Sequence, residues 1–163
     1  MKKKTSDNRN TLYESKIFDI NFRGTSNDLS RVKVFTNKSS IQIEKQISFD
    51  SENEHITSVE YFAGSVLSSI LLSLLEQSKK RGSIIEEIEG VLNLSLENPL
   101  TLAGVRGYDE EPVISKIMIT VFLYADLEDN EFDDFCTKAL TNSPIYNTLK
   151  KSMKLEVLFK KLL

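Results

Sequence analysis

A long apolar helix is the strongest pattern in this sequence. Between residues 58 and 82, apolar side chains recur at three- and four-residue spacing, which predicts one helix with an apolar stripe. Its uncharged part, residues 61–75, is shorter than the about 20 residues of a membrane span, so we expect a buried core helix. The stripe consists of Val59, Phe62, Ala63, Val66, Leu67, Ile70, Leu71, Leu74 and Leu75, and Tyr61 and Leu72 widen it.

Both ends of this helix carry capping signals. Thr57 or Ser58 is predicted to be the N-cap, and Glu60 in the first turn suits the positive end of the helix dipole. The helix is predicted to end at the basic residues 79–81, and Gly82 is expected to take a left-handed conformation after it. Small residues mark one side, where another backbone could approach or a pocket could open: Gly64, Ser65, Ser68 and Ser69.

Period-two alternation predicts strands before and after the helix. The first, around KIFDINF, has Phe18, Ile20 and Phe22 on one face and leads into a turn at residues 24–28. Further strands are predicted at 31–35 and 41–49, at 84–97, at 117–124 and, closing the chain, at 153–159. The strand at 117–124 is apolar on both faces, which predicts a central position in its sheet.

A broken helix separates the last two strands. The acidic stretch 126–134 opens it, Asn142-Ser143-Pro144 interrupts it, and a short helix is predicted at 145–151 with Pro144 in its first turn. The order of elements predicts one α+β domain over residues 1–163, with a mainly antiparallel curved sheet around the long helix. One sheet covers one side of that helix, so a homodimer in which two such helices pack together is expected.

Composition indicates the cellular location of the protein and the classes of partner to expect. The 163 residues carry 21 basic and 24 acidic side chains, a net charge of −3, so nucleic acid is not an expected partner. Residues 1–12 are lysine-rich without an apolar continuation, which predicts a flexible tail and no signal peptide. With one cysteine, no internal disulfide can form, and a cytoplasmic location is expected.

Two spaced motifs resemble the OsmC/Ohr family, the osmotically inducible and organic hydroperoxide resistance proteins. In that family, Pro-x-Glu or Pro-Glu opens the central helix, a cysteine follows about three turns later, and Lys-Arg-Gly-like residues end the helix. Here SVE at 58–60, Ser69 and KRG at 80–82 match in spacing, without the proline. Near the C-terminus, SPI at 143–145 matches the family's Cys-Pro-Val, with Ser143 in place of cysteine.

The resemblance implies an intertwined homodimer that reduces organic hydroperoxides at sites on the subunit interface. A peroxidatic cysteine on the central helix and a resolving cysteine carry that chemistry in the family. Because Ser69 and Ser143 occupy both positions, and serine forms neither a reactive thiolate nor a disulfide, we expect a redox-inactive homologue. Such a protein could still bind a small apolar ligand at the interface.

The alignment leaves several site residues open. A shift of this alignment would place Ser65 or Ser68 at the position of the first family cysteine. No such shift places a cysteine there. The family has a site arginine in its N-terminal strand region, which could correspond to Arg23 or Arg31. Glu60 aligns with the carboxylate at the helix start in one branch of the family and is one position off in the other, and first-turn stabilisation of the helix explains it equally well.

The remaining reactive side chains do not form a second recognisable site. Cys136 could act as a lone peroxidatic thiol, which is the alternative to a redox-inactive protein, but its spacing with Phe132 and Leu140 predicts a packing role. His55 is the only histidine and lies in a polar loop, which argues against a catalytic relay or a multi-histidine metal site. The acidic stretch 126–134 lacks the pattern of a calcium loop. No metal or cofactor is predicted.

Overall fold

The computed structural model describes residues 18–50, 55–82 and 84–162, so the predicted tail at 1–12 lies outside the described residues. The secondary structure confirms the predicted α+β class. In chain order the elements are β1 (Arg23–Thr25), β2 (Val32–Phe35), β3 (Ser40–Ile43), α1 (Ser58–Lys80), β4 (Ile85–Glu97), α2 (Pro99–Leu102), β5 (Val113–Ala125), α3 (Asp129–Thr141), α4 (Pro144–Leu149) and β6 (Lys154–Leu162).

The described residues form two compact units, divided in sequence between Gln42 and Ile43. The strands form two three-stranded sheets, β1-β2-β3 and β4-β5-β6, where the sequence predicted one. The alternating patterns identify the strands and their solvent-exposed faces, but they carry no information on which strand pairs with which. The predicted number of sheets was therefore the weaker part of the fold prediction.

The first hairpin is displaced from its predicted position. The prediction of a strand through Phe18, Ile20 and Phe22 was wrong, because all three side chains are exposed and β1 begins at the next residue. Gly24 belongs to β1, opposite Val34, and not to the turn. The turn forms later, and its reason is local: a side-chain oxygen of Asp28 accepts the N–H groups of the two residues that precede β2, as in an Asx turn.

The third strand is shorter than predicted, since β3 ends at Ile43. The carbonyl groups of Lys45 and Gln46 accept the N–H groups of Ser58 and Val59, each at 3.1 Å. These are N–H groups of the first turn of α1, which have no partner within the helix. The segment after β3 therefore binds a helix end and is not available for a longer strand.

The boundaries of α1 follow the predicted capping residues. Thr57 is the N-cap and forms a capping box with Glu60, and Gly82 takes a φ of 96° after the helix. By length and composition alone α1 could cross a membrane, since an 18-residue window of it has a mean hydropathy of 1.5. It packs against β4, α3 and α4, which is the behaviour of a core helix.

The second sheet carries the core of the second unit. Strand β5 lies between β4, which is antiparallel to it, and β6, which is parallel, so the predicted central position is confirmed. The parallel pair is possible because α3 and α4 carry the chain back across the sheet. The core side chains are Val66, Ile70, Leu74, Ile117, Ile119, Val121, Leu123, Phe132, Phe135, Cys136 and Ala139.

Candidate functional site

The first site residue, Ser69, lies at the middle of α1 beside the buried Ile70. The second, Ser143, is fully buried at the junction of α3 and α4. Ser143 is the N-cap of α4, and its hydroxyl oxygen accepts the N–H of Tyr146 at 3.2 Å. Pro144 follows at the first helical position, where its missing N–H costs nothing. Local capping chemistry therefore fixes the second hydroxyl in place.

The packing of α4 on α1 brings these two hydroxyl groups together. The Oγ atoms of Ser69 and Ser143 lie 2.8 Å apart, and either can donate the hydrogen bond. They are 74 residues apart in sequence. The pairing joins the two positions that the sequence motifs singled out, and it uses Ser69 and not Ser65 or Ser68.

A cavity of about 360 Å³ opens beside this pair, and we call it the serine cavity. Helix α1 supplies one wall and the α3–α4 junction supplies the other. Three of the four small residues predicted on one side of α1, Ser65, Ser68 and Ser69, line this cavity, and Gly64 does not. Its lining residues are Ser65, Ser68, Ser69, Leu72, Ser73, Glu76, Asn142, Pro144 and Ile145.

The chemistry that the paired hydroxyls can perform is limited. A serine hydroxyl is a hydrogen-bond donor and acceptor, but it does not form the thiolate that attacks peroxides. The only ionisable side chain in the lining is Glu76. The site can therefore bind polar groups, and it holds neither a thiol nor an imidazole for nucleophilic catalysis.

Glu60 lies away from this pair. It precedes Ser69 by nine residues, or two and a half helical turns. Glu60 therefore lies on the opposite face of α1. Its carboxylate accepts bonds from the Thr57 N–H at 2.6 Å and from the Thr57 hydroxyl at 2.8 Å. These bonds lower the pKa of Glu60 from its ordinary value. Glu60 lines a second, more apolar cavity of about 320 Å³ with Leu92 and Leu94.

The two candidate arginines both lie in the first unit and have local partners there. The guanidinium of Arg23 lies 5.4 Å from the centre of the Phe35 ring. Arg31 forms an ion pair with Asp28 at 2.9 Å. Hydrogen bonds from Ser30, followed by those of Arg31, lower the pKa of Asp28 to about 2.

Cys136 is a buried core residue with 2% of its surface exposed. Burial, reinforced by the negative charge of Asp133, raises the pKa of the Cys136 thiol to about 12. A thiol with so high a pKa is protonated at neutral pH and is a poor nucleophile. The packing role indicated by its sequence spacing agrees with this environment.

The remaining candidates have structural partners. The Nε2 atom of His55 lies 3.5 Å from a carboxylate oxygen of Glu44. In the acidic stretch, Asp129 pairs with Lys161 at 2.8 Å, and Asp134 pairs with Lys138 at 2.7 Å. Across residues 18–50, 55–82 and 84–162, no three metal-ligating side chains converge on one point.

The family model for OsmC-like protein matches residues 51–158, which include both serines and all of the second sheet up to β6. The chain belongs to the OsmC-like protein family. No curated protein sequence gives a significant match.

Solved structures share the fold of this OsmC-like chain at low sequence identity. An OsmC-like protein from Mycoplasma pneumoniae has a TM-score of 0.71 at 11% identity, over 90% of this chain and 99% of that one. An organic hydroperoxide resistance protein from Elizabethkingia anophelis has a TM-score of 0.66 at 10% identity, over 91% and 99%. The organic hydroperoxide resistance protein OhrB of Bacillus subtilis has a TM-score of 0.59 at 14% identity, over 88% and 98%.

Sequence reasoning missed two polar residues that line the site of this OsmC-like protein. Glu76 follows Ser69 by seven residues, or about two turns, so the helical period could have placed both on one face. Asn142 directly precedes Ser143, and its place in the wall depends on how the α3–α4 junction docks on α1. No local sequence signal reports that docking.

Proposed function

We propose that this protein is an OsmC-like homodimer without thiol peroxidase activity that retains the serine cavity as a binding site for a small, mainly apolar ligand. The observation that carries the proposal is the 2.8 Å contact between Ser69 and Ser143. These are the positions at which the family resemblance implies the peroxidatic and resolving cysteines. Two hydroxyl oxygens therefore lie in contact where the resemblance implies a pair of sulfur atoms.

The replacement removes each step of the family's reaction. Reduction of a hydroperoxide by a thiolate gives an alcohol and a sulfenic acid, and a second thiol then displaces water from that sulfur to form a disulfide. A neutral serine hydroxyl does not attack the peroxide oxygen, and two hydroxyls have no equivalent of the disulfide. We therefore infer that an organic hydroperoxide would be at most a ligand of this site.

Cys136 is a poor replacement for the missing thiols. Its burial and its pKa of about 12 both oppose attack on a peroxide at neutral pH. These two properties favour the redox-inactive protein over the alternative, an active hydroperoxide reductase that uses Cys136 or another nucleophile.

The homodimer is supported by the uncovered side of α1. Gly64, Ser65 and Ser68 are exposed there, and Leu72 has 56% of its surface exposed. Small residues allow the backbones of two helices to approach closely, and an exposed leucine on such a face favours burial in an interface. Since three of these four residues also line the serine cavity, a partner helix packed on this face would help to enclose the ligand. A cytoplasmic location and the absence of nucleic-acid or membrane partners complete the proposal.

Peroxide turnover tests the proposal directly. The purified protein is mixed with cumene hydroperoxide or tert-butyl hydroperoxide and a dithiol, which removes the need for a resolving cysteine. We expect peroxide loss equal to that of the protein-free control, for the native chain and for Cys136→Ser alike. Turnover that disappears in Cys136→Ser would instead establish the reductase.

Ligand binding is tested separately. The homodimer is screened by thermal shift against short-chain alcohols, amines, carboxylic acids and aryl compounds, with Ile145→Gln as a variant that makes the cavity wall polar and leaves the proposed dimer face of α1 unchanged. We expect at least one compound to raise the melting temperature of the native protein and to lose that effect in Ile145→Gln. The binding part of the proposal fails if no compound stabilises the protein.

A further inference from the structure

The hydrogen-bonding groups of the serine cavity are mostly acceptors. Ser65 donates its hydroxyl proton to the carbonyl of Tyr61 at 2.8 Å. Ser68 donates to the carbonyl of Ser65 at 3.2 Å, and Ser73 donates to that of Ser69 at 2.8 Å. A hydroxyl has one proton and two lone pairs, so these three side chains offer only acceptor capacity to a ligand.

The other polar groups of the lining add few donors. Ser69 shares a hydrogen bond with Ser143, which is fully buried and not itself part of the lining, so Ser69 offers a ligand at most one proton. Asn142 donates one amide N–H to the carbonyl of Lys138 at 3.2 Å, which leaves one N–H and the amide oxygen. Pro144 has no backbone N–H at all. Acceptors therefore outnumber free donors around this cavity.

The only formal charge in the lining is negative. Glu76 is exposed on the last third of α1, and no hydrogen bond or ion pair within the described residues involves it. Lys79 and Lys80 are one turn further on, yet neither forms an ion pair with it in this structure. The lining contains no arginine, lysine or histidine. An anionic ligand would therefore meet a carboxylate without a compensating cation.

The remaining wall is apolar. Leu72, one helical turn before Glu76, stands largely exposed at the cavity, and Pro144 and Ile145 face it from the α3–α4 junction. At about 360 Å³ the cavity is at the small end of the range for ligand sites, which suits a short molecule and not a long lipid chain.

We infer that the serine cavity binds a small primary amine with an apolar body. The ammonium group pairs with Glu76 and donates to the serine acceptors nearest to it, and the hydrocarbon lies against Leu72 and Ile145. An ammonium has three donors and no acceptor, which matches the excess of acceptors in the lining. This inference rests on the proposed function and narrows its ligand to one chemical class.

Calorimetric titration at low ionic strength with three ligands of equal chain length tests the inference. We expect n-hexylamine to bind, n-hexanol to bind about fivefold to tenfold more weakly, and hexanoate to show no binding. Binding of hexanol or hexanoate as tight as that of hexylamine would overturn the amine assignment and leave the proposed function standing. Binding of none of the three would overturn the amine assignment, whereas the proposed function is decided separately by the thermal-shift screen and by peroxide turnover.

Two charge-neutralising variants separate the site from general attraction to an acidic protein. Glu76→Gln removes the carboxylate of the cavity, whereas Glu89→Gln removes an exposed carboxylate on β4 that is not part of the lining. Both change the net charge equally. We expect hexylamine affinity to fall about fivefold to tenfold in Glu76→Gln and to stay unchanged in Glu89→Gln. Equal effects of the two variants, or no effect of either, would contradict the inference.

Discussion

The hydroxyl of Ser143 caps helix α4 and also contacts the hydroxyl of Ser69 on α1, 2.8 Å away. One buried oxygen thus fixes the start of a short helix and its position against the central helix. The contact also joins the two positions where the family resemblance implies a redox pair. Ser69 and Ser143 together therefore report on both the stability and the chemistry of this protein.

The bond between the two serines is expected to appear as an energetic coupling. We expect Ser69→Ala to lower the free energy of unfolding by about 1 kcal/mol, and Ser143→Ala by about 1–2 kcal/mol because it also removes a helix cap. The double variant should cost about 0.5–1 kcal/mol less than the sum. Denaturant unfolding measures all three, with Ser65→Ala as an exposed control. Strict additivity would show that the contact carries no energy.

Cysteines introduced at both positions should form a disulfide. The two Oγ atoms are close enough that a sulfur pair at the usual bond length of about 2.0 Å requires only small shifts. We expect Ser69→Cys/Ser143→Cys to lose two hydrogens on mild oxidation, detected by mass spectrometry of the intact protein and of its peptides. Ser73→Cys/Ser143→Cys is the matched control, because residue 73 lies one turn further along α1. Equal cross-linking of both variants would contradict the observed packing of α4.

Native Cys136 should be unreactive until the protein unfolds. Its buried thiol has a pKa raised to about 12, so alkylation at pH 8 should be slow and should accelerate only in denaturant. The unfolded chain loses the thiol proton at lower pH than the folded one. The Cys136 contribution to stability is therefore complete below about pH 9, its ordinary pKa, and decreases as the pH rises toward 12. Cys136→Ala should remove this alkaline dependence, and an unchanged pH profile would contradict the assignment.

The capping box at the start of α1 should make stability depend on acid pH. The bonds from Thr57 lower the pKa of Glu60 below its ordinary 4.5. The Glu60 contribution is therefore complete above about pH 4.5 and is lost as the pH falls through the lower folded value. We expect Glu60→Gln to flatten the stability profile below pH 4.5, and Thr57→Ala to cost about 1 kcal/mol at neutral pH. An equally steep acid profile in Glu60→Gln would assign the effect to other carboxylates.

Gly64 tests the proposed dimer. A Cβ atom at this position would meet no atom of another element of the protomer within 4 Å. We expect Gly64→Arg to fold with native helix content and to elute as a monomer at concentrations where the native chain is a dimer, because the arginine would stand between the packed helices. Thr137→Arg, on the exposed side of α3, should remain dimeric. Light scattering measures the mass, and an unchanged mass for Gly64→Arg would show that α1 is not the interface.

Local patterns allowed much of the fold to be predicted. The helical stripe, the capping residues Thr57 and Gly82 and the doubly apolar β5 all act over a few residues, so the sequence carries their signal directly. The same holds for Ser143 followed by Pro144, which marks the start of α4. The prediction failed at Phe18, Ile20 and Phe22, because alternation indicates a face but does not supply the strand that pairs with it.

The sequence by itself determined which residues could carry chemistry and that serine stands at both positions matched by the motifs of the resemblance, Ser69 and Ser143. It also determined the helices and strands whose patterns and capping residues lie within a few residues of one another in the chain. Only the tertiary structure decided that Ser69, and not Ser65 or Ser68, pairs with Ser143, and that Glu76 and Asn142 complete the cavity wall. The physical reason is that these contacts join residues far apart in the chain. Their distances depend on how the α3–α4 junction packs against α1, which only the folded chain defines.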